Sequence, residues 1–480
     1  MNYKFLTTTL LAAVALSANA QQATIYTTTP DRTHSLSEVT TELEPTRSNA
    51  DLVLNPLQTF QEMDGFGYAI TYSACYNLMQ MKAEDRHALL EYTFSPTKGL
   101  GISYMRTSIG CSDFSSCEYT LCDEPGLEHF KFHEDETKYV LPVMKEILAI
   151  NPDVKLMAAP WTCPRWMKVN NLTDRKPHDS WTAGHLNPDY YEEYAQYFVR
   201  FVWAMMQEGI TVHAVTPQNE PLNAGNCASL VMGWDEQAAF IQHLAPAFKK
   251  AGLKTKIYTF DHNYNYDNKP DQNDYPLKIY EVLPADMPGA ELVAGSAWHN
   301  YGGETAELDD VRQRAPEKEM IFTEASIGTW NQGRDLKKRL IDDMDWMVLP
   351  AINKGCRAMM VWNYMLDLNR APNLDGGCQT CFGAIDIDPN DYKTLHYNSH
   401  FYAMAHMSSV VKPGAVRIGA QAKQMRGISY SAFLNPDGTY AVVIANRDYQ
   451  PQRVSINVKG RGSITVDVPL LSATSVLIGK

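Results

Sequence analysis

Eight short runs of apolar and β-branched residues recur along the chain, each followed by a longer stretch with helical period, and this alternation restricts the fold most strongly. The runs are EMDGFGYAI, ISYMRTSIG, VKLMAAPW, TVHAVTPQ, TKIYTFDH, ELVAGSAW, EMIFTEAS and CRAMMVWNY. Between them, PDYYEEYAQYFVRFVWAMMQEG puts Tyr194, Phe198, Phe201 and Met205 on one helical face and stops at Gly209. DEQAAFIQHLAPAFKKAG stops in the same way at Gly252, and DLKKRLIDDMDWMVLPAINKG at Gly355. Eight strands, each with a following helix, predict a closed (β/α)8 TIM barrel. The alternative is an open doubly wound sheet. Its nucleotide-binding version is weakened because no GxGxxG or GxxxxGK[ST] loop is present.

At 480 residues the chain suits one large barrel with a small companion. After about Val411 the pattern changes to period two, with NPDGT as a hairpin turn. The strand-like segments before Gln58 are read as partners of these C-terminal strands. The expected division is a signal peptide over 1–20, N-terminal strands of the β-domain over 21–57, the barrel over 58–410, and a C-terminal antiparallel β-domain over 411–480.

The first residues read as an export signal. Lys4 is the positive end, FLTTTLLAAVALS the apolar middle, and ANA before Gln21 the cleavage site. The run is shorter than the roughly 18 residues needed to span a membrane. A periplasmic or secreted protein is expected, with a monomer as the default. The net charge of −13, with Lys and Arg scattered, argues against nucleic acid and anionic membrane surfaces and suits a neutral partner such as a sugar. Nine cysteines include a CQTC motif, readable as a loop disulfide, a redox pair or half a zinc site, with free thiols as the plainer alternative. No second CxxC or paired His completes a zinc site, so neither metal nor cofactor is expected.

In a barrel of this kind chemistry sits at the C-terminal ends of the strands. Those ends carry Arg106 and Asp113, then PWTCPRWMK with Trp161, then Asn219 and Glu220. Further along come Trp298, His299 and Tyr301, then Glu324, then Trp362, Asn363 and Asp367. Glu220 and Glu324 follow the fourth and seventh strands, which face each other across a barrel mouth. Retaining glycoside hydrolysis uses two carboxylates about 5–5.5 Å apart, with one as proton donor and the other as nucleophile. Indole rings supply flat apolar plates for sugar rings.

Nine stretches in order resemble glycoside hydrolase family 30, the family of glucosylceramidases and microbial β-1,6-glucanases. They are QTFQEMDGFGYAIT, GISYMRTSIGCSDFS, HEDETKYVLPVMKEI, APWTCPRWMK, AVTPQNEP, AWHNY, FTEASIGTW, VWNYMLDLNRAPN and HFYAMAHMSSVVKPGAVRI. The resemblance implies a TIM barrel with a side β-sandwich built from both chain ends. It implies Glu220 as acid/base and Glu324 as nucleophile. It places Arg106, Asp113, Trp161, Asn219, His299, Trp362 and Asn373 at the first sugar subsite, and Tyr301 as a support for Glu324. Asp113 and Asn219 would bind hydroxyls and Trp362 would floor the pocket.

The chain departs from many relatives at Tyr68, and its RAPNLDGGCQTCFG loop resembles the β-1,6-glucanase branch. β-1,6-Glucan is therefore the expected substrate. Glucosylceramide, another small β-glucoside or a β-xyloside is the alternative, and a barrel retained only for carbohydrate binding is the reading from a different class. Beside the charge of Glu324, Glu220 is expected to keep its proton. Other readings stay open: Arg106 and Asp113 as a structural ion pair, and His299 as support. Trp166, Trp181, Trp203 and Trp346 are read as core or helix packing, Trp234 and Trp330 as packing or outer-subsite residues.

Overall fold

The computed structural model describes residues 21–47, 49–264 and 269–479. The expected leader, 1–20, lies outside the described residues. The eight runs form β1 (Gly65–Ala69), β2 (Tyr104–Ser108), β3 (Lys155–Ala159), β4 (Ala214–Val215), β5 (Lys256–Asn263), β6 (Val293–His299), β7 (Glu319–Glu324) and β8 (Cys356–Val361). They close in sequence order into a parallel barrel, with β8 returning to β1 where Ala358 lies opposite Gly65. The open-sheet alternative is thereby excluded.

Tyr104, Met157, Ala214, Tyr258, Ala297, Ile321, Ala358 and Met360 come from strands all round the ring, yet they touch one another in a single cluster. Such a cluster can only be the barrel interior, which is packed rather than open. A Cβ at Gly67 would fall 1.7 Å from the Tyr104 carbonyl oxygen, so only glycine lets β1 approach β2 there.

The helix Tyr191–Gln207 buries Tyr194, Phe198, Phe201 and Met205, the face its periodicity indicated. It ends before Gly209, whose φ is +79°. The last predicted helix is broken. Leu336–Asp342 is α-helical, Asp343–Val348 is a π-helix, and Leu349–Asn353 is α-helical again. Pro350 explains the change: in α geometry its ring would clash with the carbonyl four residues back, and a widened turn relieves this.

The second layer is a nine-stranded sheet made from both chain ends. Gln22–Thr28 runs antiparallel to Ser472–Ile478, with Ala23 opposite Ile478. Leu52–Glu62 lies between Val416–Ala422 and Gln452–Val458, and its pairing with the latter is parallel, a departure from an otherwise antiparallel sheet. Ser37–Glu42 adds an edge strand the sequence reading did not include. Leu52, Leu54, Val442, Ile444, Val454, Ile456 and Val476 form its own apolar core. His406, on the helix Ser399–Ser408, fixes the sheet to the barrel: its ring nitrogens lie 2.8 Å from Ser475 Oγ and 2.8 Å from Thr28 Oγ1. Among the described residues no helix is long and apolar enough to cross a membrane.

Candidate active site

β4 is only two residues long because Pro217 and Pro221 cannot donate to a sheet ladder. The chain then turns at Glu220, whose φ of +46° lies in the left-handed region. A non-glycine residue pays roughly 1–2 kcal/mol there. Hydrogen bonds fix the turn: Asn219 N–H donates to the Pro160 carbonyl at 2.8 Å, and Glu220 N–H to the Asp261 carbonyl at 3.0 Å. The end of β4 is thus tied to both neighbouring strands, and the Glu220 side chain is aimed at the barrel mouth. Glu324 is the last residue of β7. Both carboxylates line one cleft of about 340 Å³, together with Asp113, His262, Tyr301, Trp330 and Trp362. Glu220 is 8% exposed and Glu324 6%, so charges there are poorly screened by solvent.

Arg106 rises from β2 beneath this cleft and is fully buried. Its Nη1 donates to Glu324 Oε2 at 2.5 Å, and its Nη2 to Asn219 Oδ1 at 2.6 Å and Asp261 Oδ2 at 3.0 Å. The guanidinium lies over the rings of Trp161 and Trp362, 5.1 and 5.5 Å from their centroids. Those two indoles stack at 5.1 Å. Arg106 therefore pairs with Asp261 and Glu324 rather than with Asp113, which overturns the Arg106–Asp113 ion-pair reading.

Asp261 also accepts from Thr216 Oγ1 at 2.6 Å and Thr323 Oγ1 at 2.7 Å. Burial alone would raise its pKa. Arg106 and His299 outweigh that and hold the carboxyl below the usual carboxylate range. His299 connects Asp261 to Glu220, with Nε2 3.0 Å from Asp261 Oδ1 and Nδ1 3.4 Å from Glu220 Oε1. Burial opposes a charge on His299, but Glu324, Asp261 and Glu220 prevail and push it up to about 9. Burial likewise favours neutral Glu220, but His299, His262 and the Asn223 amide hold it down to about 2. Both shifts favour a proton on His299 over one on Glu220. Against the expectation that Glu220 keeps the proton, its contact with His299 favours the ionised carboxylate. Shifting the proton to Glu220 leaves the pair's total charge unchanged, so one proton is available wherever the pair is singly protonated.

Glu324 accepts from Tyr301 Oη at 2.9 Å. Burial pushes its carboxyl above the usual range, while His299 and Arg106 pull the other way. Asp113 is pushed up to about 8, first by burial and then by Glu324, with the Cys378 N–H opposing. Burial thus favours its protonated form, which can donate a hydrogen bond to a sugar oxygen. The segment above it carries the disulfide Cys378–Cys381, which settles the CQTC motif as an oxidised loop. Leu374 N–H donates to the Asp113 carbonyl at 2.9 Å, and Cys378 N–H to Asp113 Oδ2 at 3.4 Å.

Of the residues singled out by sequence, Asp113, Glu220, Tyr301, Glu324 and Trp362 face the cleft directly. Arg106, Trp161, Asn219 and His299 form its buried support. Asn373 is half-buried beyond the cleft wall, its amide donating to the Arg370 carbonyl at 2.8 Å. Sequence reasoning passed over the end of β5, which supplies Asp261 and the cleft residue His262. The signal was there: TKIYTFDH ends on an acid and a histidine at the height of the other strand ends. Glu220, His262 and His299 bring one ligand atom each within 4.8 Å of one another, a grouping able to hold a cation. Both nitrogens of His299 already face Asp261 and Glu220, so a metal would have to compete with the proton arrangement just described. A cavity of about 370 Å³ at the opposite barrel end is lined by Lys155, paired with Asp64 at 2.5 Å, and by Lys256, paired with Glu319 at 2.7 Å. It serves the stability face of the barrel.

Residues 63–411 match the glycosyl hydrolase family 30 TIM-barrel domain, and residues 414–476 match the family 30 beta sandwich domain. The chain is similar to the solved endo-β1,6-glucanase BT3312, with 54% identity, a TM-score of 0.92, and coverage of 95% of this chain and 100% of that one. It is 29% identical over 437 residues to an endo-1,6-β-D-glucanase of Trichoderma harzianum, covering 86% of this chain and 84% of that protein. It is 26% identical over 435 residues to the lysosomal acid glucosylceramidase of Mus musculus, covering 85% of this chain and 79% of that protein. The chain belongs to glycosyl hydrolase family 30 and is a retaining glycoside hydrolase.

Proposed function

We propose that this family 30 hydrolase cuts β-1,6-linked glucan within the chain, with Glu324 as nucleophile and Glu220 as acid/base. The observation that carries the substrate is the 54% identity, over nearly the whole length of both chains, to an endo-β1,6-glucanase. The cysteine-bridged loop on the cleft wall supports it further.

In the first step a Glu324 oxygen attacks the anomeric carbon as the bond to the departing sugar oxygen breaks. The proton shared by Glu220 and His299 moves through Glu220 onto that oxygen. Arg106 and Tyr301 hold the attacking carboxylate in one orientation, which reduces the reorganisation needed at the moment of attack. In the second step Glu220, now ionised, takes a proton from water as the water attacks the same carbon and frees Glu324. Protonated Asp113 donates to a sugar hydroxyl, and Trp362 offers an apolar plate beneath the ring. The scheme needs no cofactor.

The same reading makes this an exported enzyme, supported by the Lys4, apolar-run and ANA pattern. N-terminal sequencing of the exported protein tests cleavage before Gln21.

The functional test is incubation with β-1,6-glucan, gentiobiose, glucosylceramide and xylan. A ladder of short oligosaccharides from β-1,6-glucan is expected. Glucose as the sole product would refute attack within the chain, and no product from that glucan would overturn the substrate.

A further inference from the structure

A second cavity, of about 390 Å³, shares a wall with the catalytic cleft. Tyr301, Ser326 and Trp330 line both spaces. The far side is built by Arg339, Asp342, Trp346 and His400. Trp330 is 53% exposed and Trp346 66%, so two large indoles face solvent around one cavity. Trp346 was expected to pack inward. It lies instead in the π-helical segment Asp343–Val348 with its indole toward solvent.

The chemistry between the two indoles is polar. Arg339 is paired with Asp342 and Asp343. The Asp342 side chain is about half exposed on the cavity wall, so its carboxylate can accept from a ligand hydroxyl. A lipid tail would offer these charged side chains no hydrogen bond. A pyranose ring suits them, because it presents apolar C–H faces to aromatic plates and hydroxyls to polar groups at its edge. A 1,6-linkage adds a rotatable bond beyond those of linkages to ring hydroxyls, which lets a glucan chain bend over the Tyr301–Trp330 wall.

We propose that Trp346 and Asp342, with Trp330 on the shared wall, form a remote subsite for a glucosyl unit of the chain being cut in the catalytic cleft. This rests on the β-1,6-glucan reading and adds to it a preference for longer chains. The bond broken and the residues that break it are unchanged; the pocket contributes binding only.

The test compares the wild-type enzyme with Trp346→Ala on two substrates, β-1,6-glucan polymer and 4-nitrophenyl β-gentiobioside. Loss of one ring-stacking contact should raise KM for the polymer roughly five- to tenfold with kcat unchanged. The short substrate should be hydrolysed as by wild type. Trp346→Tyr, which keeps an aromatic plate, should recover most of the polymer affinity. Equal polymer KM in wild type and Trp346→Ala, with wild type active on that polymer, would overturn the subsite alone. A parallel loss on both substrates would also overturn it, by showing that Trp346 acts on the catalytic cleft itself. A wild-type enzyme inactive on β-1,6-glucan would overturn the substrate reading and the subsite with it.

Discussion

Glu324 Oε2 lies 2.5 Å from Arg106 Nη1, so the carboxylate that ends β7 is held by a cation rooted in β2. The pair is almost sealed from solvent, and Arg106 extends it to Asn219 and Asp261. One guanidinium thus fixes Glu324, the proposed nucleophile, Asn219 beside Glu220, the proposed acid/base, and the acid that faces His299.

Arg106→Met should therefore destabilise the fold as well as abolish catalysis. It leaves Asp261 and Glu324 buried without their counter-charge, a loss of about 3–5 kcal/mol for a buried pair broken on one side. Urea unfolding measures it. Arg106→Lys keeps the charge but loses the fork that reaches three partners, so it should fold and still be impaired in kcat.

Glu220→Gln should separate the two chemical steps. On β-1,6-glucan, where the leaving sugar needs a proton, the rate should fall by about 10²–10⁴. On 2,4-dinitrophenyl β-glucoside, whose leaving group needs none, the first step should survive, the glycosyl-enzyme should accumulate, and azide should accelerate turnover. Glu324→Ala should be inactive on both substrates. Undiminished turnover in Glu324→Ala would remove it as nucleophile.

The proton held by Glu220 and His299 predicts an alkaline limb. His299 is raised to about 9, so the pair is singly protonated below that pH and loses its proton as pH rises through it. Acid-assisted cleavage of glucan should decline toward pH 9. With the dinitrophenyl substrate under conditions that report the first step, that limb should flatten, because no proton is required. A limb of equal steepness for both substrates would point instead to another group, with Asp113, raised to about 8, the first to examine.

The barrel was legible because each strand is an apolar run, and all eight runs returned as barrel strands. Glu220 and Glu324 were legible because each is an acid at a strand end. Asp261 was not. Phe260 and Asp261 have φ of +73° and +67°, and the register of β5 against β6 shifts between Phe260 and His262. A bulge breaks the alternation by which inward residues are read from sequence. The protonation of Glu220 depends on a contact across β4 and β6, and no local pattern encodes that.

The Cys378–Cys381 bridge should matter more to binding than to folding. Its cysteines are only three positions apart, so closing the loop removes little freedom from the unfolded chain, about 2 kcal/mol or less. The bridge nonetheless shapes the segment whose Cys378 N–H reaches Asp113, and both cysteines line the cleft. The double variant Cys378→Ser/Cys381→Ser should therefore unfold in urea close to wild type but show a severalfold higher KM for glucan. Mild reduction of the wild-type enzyme should reproduce the KM change, and reoxidation should reverse it. A large drop in stability with KM unchanged would instead make the bridge a staple of the fold.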